Sequence, residues 1–344
     1  MTAETSRELN HRAVATGVGS MPGDDIHEAV RTVLGELPEL PYLPELPDRG
    51  AVASMTGRAL ALVADLGFDL QPAGWRLTDA PGVDHRRARS LLAEDLDALE
   101  EHGREAAVFS AGGQLKVQVA GPWTLAATVE RPRGDRVLAD HGARREIAQA
   151  LAEGVRTHVA DLRRRLPGVS LVVQVDEPAL PAVLAARVPT ASGFGRHRSV
   201  DAPAASAALE WVFAAITDAG ATPVAHCCAG DAPLGLLRGA GATGVSVDLA
   251  VLEPAGYDEL GAALEAGDRV FLGVVPATDP DPRPTEKQVV ERVLRLLDML
   301  GFDPDEVTGR LVLTPACGLA GASPSYAREA LALVRTSASR LAEG

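Results

Sequence analysis

Four side chains of types that bind zinc close three separate apolar runs: His226 and Cys228 in VAHCCAG, Asp248 in GVSVDLA, and Cys317 in LTPACGL. In extended backbone, residues i and i+2 point the same way. His226 and Cys228 are therefore expected side by side, with Cys227 turned to the opposite face as a packing residue. Zinc accepts nitrogen, sulfur and oxygen ligands in a tetrahedron, so the four form a candidate zinc set wherever the three run ends converge. Two thiolates and a carboxylate would outweigh the charge of a divalent ion. Such an anionic, sulfur-rich shell keeps an added thiolate electron-rich, which suits alkyl transfer to sulfur better than hydrolysis. The same residues also suit a plainer role, small cysteines filling a core beside a hydrogen-bonded histidine.

The elements that could bring the run ends together are legible as apolar stretches of strand length. They lie at residues 13–18 and 40–46 and begin near residues 115, 169, 222, 243, 269 and 310. Helix-period segments cover residues 84–102, 143–165, 202–218, 285–300 and 325–342. Short continuous strands alternating with amphipathic helices predict a parallel sheet covered on its outer face. Their number predicts a single α/β domain, a (β/α)8 TIM barrel, rather than a doubly wound sheet. The run at 40–46 is Pro-rich, which disfavours a strand interior. One barrel over residues 1–344 is expected, with a polar N-terminal extension at 1–12 and the zinc site at the C-terminal ends of the strands. Long loops at 186–203 and 276–287 are expected on that same side.

Composition narrows the function classes. A net charge of −14 argues against a nucleic-acid partner, because polyanion binding is driven by Lys and Arg. No apolar stretch is long enough to span a membrane, and the polar start MTAETSRELNHR lacks a secretory core, so a cytoplasmic location is expected. Three cysteines, two of them adjacent, do not make a disulfide framework in that compartment.

Six segments in order, ATGVGSMPG, AGPWTLA, QVDEPAL, HCC, GVSVD and PACGL, resemble the catalytic barrel of cobalamin-independent methionine synthase. The resemblance spans nearly the whole chain. It implies zinc bound by His226, Cys228, Asp248 and Cys317, with Asp248 standing where the family has a Glu, one methylene longer. Glu253, five residues on, is the alternative carboxylate. It implies that Asp176, at the centre of the catalytic site, and Glu45 hold the ammonium of homocysteine, and that the Gly19–Ser20 turn meets its carboxylate. Asp176 and Glu177 also read as a helix-start signal ahead of Pro178, Gly19 as part of a tight turn, and Glu45 as a loop residue.

The implied activity is zinc-dependent S-methyl transfer to homocysteine, or a similar small thiol, forming methionine. Two departures bear on the donor. The full-length family carries a second barrel that helps bind polyglutamated folate, and this chain is about one barrel long. Thr278 lies near the position of a family His thought to protonate the leaving folate amine, and no His follows residue 226. A methylated corrinoid or corrinoid protein is therefore a candidate donor beside methyltetrahydrofolate. Two other readings stay open: alkyl transfer to another thiol such as coenzyme M, for which Arg196, His197 and Arg198 speak, and a non-catalytic metal- or tetrapyrrole-binding barrel.

Overall fold

The computed structural model describes residues 12–109 and 112–343, so the expected extension at 1–12 lies almost wholly outside it. Its strands are β1 (Val14–Ala15), β2 (Gly67–Gln71), β3 (Gly74–Thr78), β4 (Gln114–Ala120), β5 (Ser170–Asp176), β6 (Thr222–His226), β7 (Gly244–Asp248), β8 (Arg269–Val275) and β9 (Leu311–Pro315). Seven of them form one parallel sheet in the order β1-β9-β8-β7-β6-β5-β4, while β2 and β3 make a separate antiparallel hairpin.

The five expected helices are present as Val83–Glu105, His141–Arg165, Ala202–Asp218, Glu286–Leu300 and Pro324–Glu343. Local signals set their ends. Asp140 and Asp201 each accept a backbone N–H of the first turn. Thr285 and Gln288 form a reciprocal capping box, and Gly301 ends that helix in the left-handed region. Helices Ile26–Glu36, Met55–Leu62 and Pro254–Ala266 were not expected.

The expected strand at 40–46 requires correction, since it forms only isolated bridges. Pro41 and Pro44 have no N–H, so a regular ladder cannot propagate through them. The segment nevertheless bonds on two sides. Leu43 N donates to Lys116 O at 3.0 Å and Lys116 N to Pro41 O at 2.9 Å, while Glu45 N reaches Gly19 O at 3.0 Å and Met21 N reaches Glu45 O at 2.8 Å. It thus connects β4, at one edge of the sheet, with the turn that follows β1 at the other edge.

One register row crosses the sheet from Val14 through Val312, Phe271, Ser246, His226 and Asp176 to Ala120. Register partners share a face, so this row and its i±2 neighbours define the inner face. Its lower part is an apolar plug of Val14, Leu40, Val172, Val224, Phe271 and Val312. Its upper part is polar. The opposite face carries Val117, Val173, Ala225, Cys227, Val245, Leu272 and Leu313 into the larger core shared with the helices. Cys227 therefore packs outward as its spacing predicted, and burial pushes its thiol up to about 12. Among the described residues, no helix is long and apolar enough to cross a membrane.

Candidate active site

His226, Cys228 and Cys317 come together at the C-terminal ends of β6 and β9. One ligand atom from each lies within 4.8 Å of the others. Strand β6 ends at His226, and extended geometry carries Cys228 onto the same side. Cys317 follows β9 by two residues, and its Sγ stands 3.5 Å from Cys228 Sγ. Two sulfurs sharing a tetrahedral zinc at about 2.3 Å each would stand about 3.8 Å apart, so this pair needs little adjustment. The Cys317 thiol donates toward Cys228 Sγ across this contact. The bond from Cys317 holds the Cys228 thiol below its ordinary value, and the same bond pushes Cys317 up.

The imidazole is oriented from behind. His226 Nδ1 and Ser246 Oγ lie 2.9 Å apart in the buried interior, leaving Nε2 as the nitrogen available to a metal. The donor set therefore fits a thiophilic divalent ion such as zinc. Asp248 is not part of the three-residue cluster. It ends β7 on the inner face, two residues beyond Ser246, and its Oδ1 accepts the Ala250 N–H at 2.9 Å. Glu253 is exposed at the N-cap of helix Pro254–Ala266.

Beside this cluster lies a buried polar layer. Burial raises the Asp176 carboxyl to about 6, and Gln174 Nε2 donates to its Oδ1 at 2.7 Å. Glu45 is also buried, but its carboxylate is already engaged: Gln118 Nε2 lies 3.1 Å and Arg58 Nε 3.4 Å from Oε1. Arg58 in turn pairs with the fully buried Asp95, which Arg49 also meets at 2.8 Å. Lys116 is wholly buried on β4, its Nζ 2.8 Å from Val18 O.

Gly19 and Ser20 lie four and five residues beyond the end of β1, in the turn that follows it. Ser20 packs against the loop that carries Cys317, where Leu319 N donates to Ser20 O at 2.8 Å. A Cβ at Gly318 would stand 2.1 Å from Ser20 Oγ and 3.2 Å from Ser20 Cβ, so a larger residue there would oblige Ser20 to turn away.

Glu177 has a different task. Its carboxylate accepts Trp123 N at 2.9 Å, Thr124 N at 2.8 Å and Thr124 Oγ1 at 2.7 Å. It thus caps helix Pro122–Thr128 from a neighbouring strand, rather than starting the segment at Pro178. A Cβ on Gly121 would come 2.4 Å from its Oε1, so AGPWTLA and QVDEPAL are two halves of one contact.

The loop basic cluster is divided. His197 is buried and meets Asp135 at 3.1 Å, while Arg196 and Arg198 are exposed.

Sequence reasoning missed Lys116, Gln118, Gln174, Ser246 and Arg58. All but Arg58 had a signal: a polar residue recurring at every second position of an otherwise apolar strand marks a polar inner face.

Over residues 14–340 the chain matches the family described as the catalytic domain of cobalamin-independent synthase. The chain belongs to that family. The family is one of methyltransferases of the methionine synthase type, and it accounts for the barrel-like sheet. A solved B12-independent methionine synthase from Shewanella sp. W3-18-1, in complex with selenomethionine, is similar with a TM-score of 0.62 at 13% identity. The match covers 96% of this chain and 98% of that one, and it speaks to the fold. Two further structures score under one half and carry no argument. A pneumococcal exo-beta-D-N-acetylglucosaminidase module has a TM-score of 0.48 at 9% identity, covering 97% of this chain and 86% of that one. A 2,3-dimethylmalate lyase has 0.40 at 12% identity, covering 96% and 85%. No curated protein matches the chain.

Proposed function

We propose that this cobalamin-independent synthase domain transfers a methyl group to the thiol of homocysteine, forming methionine, with zinc as its cofactor. The observation that carries the reading is the meeting of His226, Cys228 and Cys317 ligand atoms within 4.8 Å beside a buried Asp176. His226, Cys228 and Cys317 would hold the metal, and Asp248 is the carboxylate assigned as fourth ligand, its second oxygen left for that purpose. Bound zinc would supply a substrate sulfur in its thiolate form at neutral pH. We read the polar upper layer as the mouth of a complete (β/α)8 barrel, with the segment at 41–45 standing in for its second strand.

The protein's own groups then place the amino acid. Asp176 takes the substrate ammonium, since a buried carboxylate is a strong partner for a cationic donor. Glu45 completes that end from its pairing with Arg58, and the Gly19 and Ser20 backbone faces the substrate carboxylate. Two carboxylates on this layer favour an amino-acid thiol over a sulfonate such as coenzyme M. The bound amino acid of the Shewanella structure is of the class proposed here. Thr278 offers no proton to a leaving folate amine at neutral pH, so a methylated corrinoid or corrinoid protein fits as donor, with methyltetrahydrofolate as the alternative.

The test is metal analysis of wild type and Cys228→Ser, followed by methionine formation from homocysteine with methylcobalamin and methyltetrahydrofolate offered separately. Zinc and turnover both lost in Cys228→Ser support the reading. Both retained would reject the ligand set, and zinc without turnover from either donor in wild type would favour a non-catalytic metal-binding barrel.

A further inference from the structure

A lysine with no exposed surface sits in the polar layer, and its bonds lead to the turn after β1. Lys116 Nζ lies 2.8 Å from Val18 O and 3.3 Å from Gln118 Oε1. The Val18 carbonyl takes a second donor, Gln174 Nε2 at 2.9 Å, and that amide nitrogen is also 2.7 Å from Asp176 Oδ1. Placing an ammonium in a barrel interior is costly unless it is both bonded and compensated by opposite charge. Burial pulls Lys116 down to about 8, while the nearby Asp176 and Glu45 carboxylates favour its charged form.

The consequence is geometric. In a trans peptide the carbonyl and the following N–H point in opposite directions. A Val18 oxygen held on Lys116 and Gln174 therefore turns the Gly19 N–H away from them. Gly19 is buried, and neither its N–H nor that of Ser20 donates to an acceptor among the described residues. Buried amides are rarely left unpaired, because the loss is comparable to a missing hydrogen bond. Unpaired backbone amides at a bend are donors that an anion is suited to satisfy.

We propose that Lys116 is a positioning residue for substrate recognition: by clamping the Val18 carbonyl it aims the Gly19 amide at the α-carboxylate of the amino-acid substrate, beside the Ser20 amide, whose own peptide is held by Glu45 N on Gly19 O. The inference deepens the proposed function and rests on it. A charged donor is used because charge-assisted hydrogen bonds are the stronger kind. The flanking glycine allows the close approach, since a Cβ on Gly19 would touch Gln118 Cγ at 3.0 Å. A lysine that merely filled space would affect every ligand alike. A lysine that sets the carboxylate site would affect only ligands that have a carboxylate.

The experiment is calorimetric titration of zinc-loaded wild type and Lys116→Met with methionine and with 3-(methylthio)propylamine, which lacks the carboxylate. Zinc content and thermal unfolding are measured on the same samples. Wild type is expected to bind methionine at least about tenfold more tightly than the amine, and in Lys116→Met that ratio is expected to fall to about twofold through loss of methionine affinity alone. Equal weakening of both ligands, or no weakening of either, would overturn the inference while leaving the proposed function standing. Wild type that binds neither ligand overturns the proposed function and the inference with it. If Lys116→Met does not fold, Lys116→Gln, with a neutral head group on the same strand, carries the same comparison.

Discussion

Ser246 Oγ lies 2.9 Å from His226 Nδ1, and the two residues are register partners across β6 and β7. Sheet pairing itself therefore orients the candidate metal ligand. Ser246→Ala keeps the strand and removes the bond, so the ring loses its anchor and its preferred tautomer. Zinc affinity is expected to fall by about 10–100-fold, read by competition with a chromophoric chelator. An unchanged dissociation constant would show that packing alone orients the ring.

Arg58 stands between two buried carboxylates, Glu45 and Asp95. Arg58→Met removes the shared cation and leaves Asp95 only with Arg49. Breaking a buried pair by deleting one partner costs about 3–5 kcal/mol, so the urea midpoint should drop sharply. A midpoint close to wild type would mean that the carboxylates are protonated or hydrated and that Arg58 does not hold them.

Glu177 satisfies three donors at the start of helix Pro122–Thr128. Glu177→Ala leaves those donors buried and unpaired, and a loss of about 2–4 kcal/mol in unfolding free energy is expected. Zinc content should be retained, because the residue touches none of His226, Cys228 and Cys317 through its side chain. Loss of zinc with unchanged stability would reverse this assignment and make Glu177 part of the site.

His158 is neutral in the fold, lining a cleft of about 940 Å³ that also includes Arg89 and Arg164. Burial lowers it from 6.5 to about 4, with the Arg58 and Arg165 charges adding to the shift and Asp161 opposing it. Between those two values the unfolded chain binds more protons than the folded one, so stability rises with pH through that window and is lost as pH falls. His158→Leu should flatten the melting temperature against pH between 4 and 6.5. A slope equal to wild type would place the acid sensitivity in other groups.

Much of the architecture could be read from residue pattern, because burial on both faces leaves parallel strands as continuous apolar runs. The helices at 202–218 and 285–300 were legible from the helical period of their apolar residues, whereas the capping box at Thr285 emerged only from the structure. The segment at 40–46 was not, since its hydrophobicity matched a strand while its prolines forbade the ladder. Cys227 and Cys228 could be assigned to opposite faces from their spacing alone. Glu177 could not be separated from Asp176 in the same way: its partners, Trp123 and Thr124, are more than fifty residues away.

Chemistry was thus encoded in residue type, and proximity was not. His226, Cys228 and Cys317 are residue types that suit a thiophilic metal, and that suitability can be read from their side chains. That their ligand atoms meet, that Ser246 selects a nitrogen, and that Glu45 is already held by Arg58 are consequences of strand register and stagger. Those depend on hydrogen bonds between residues remote along the chain, and no local pattern contains them.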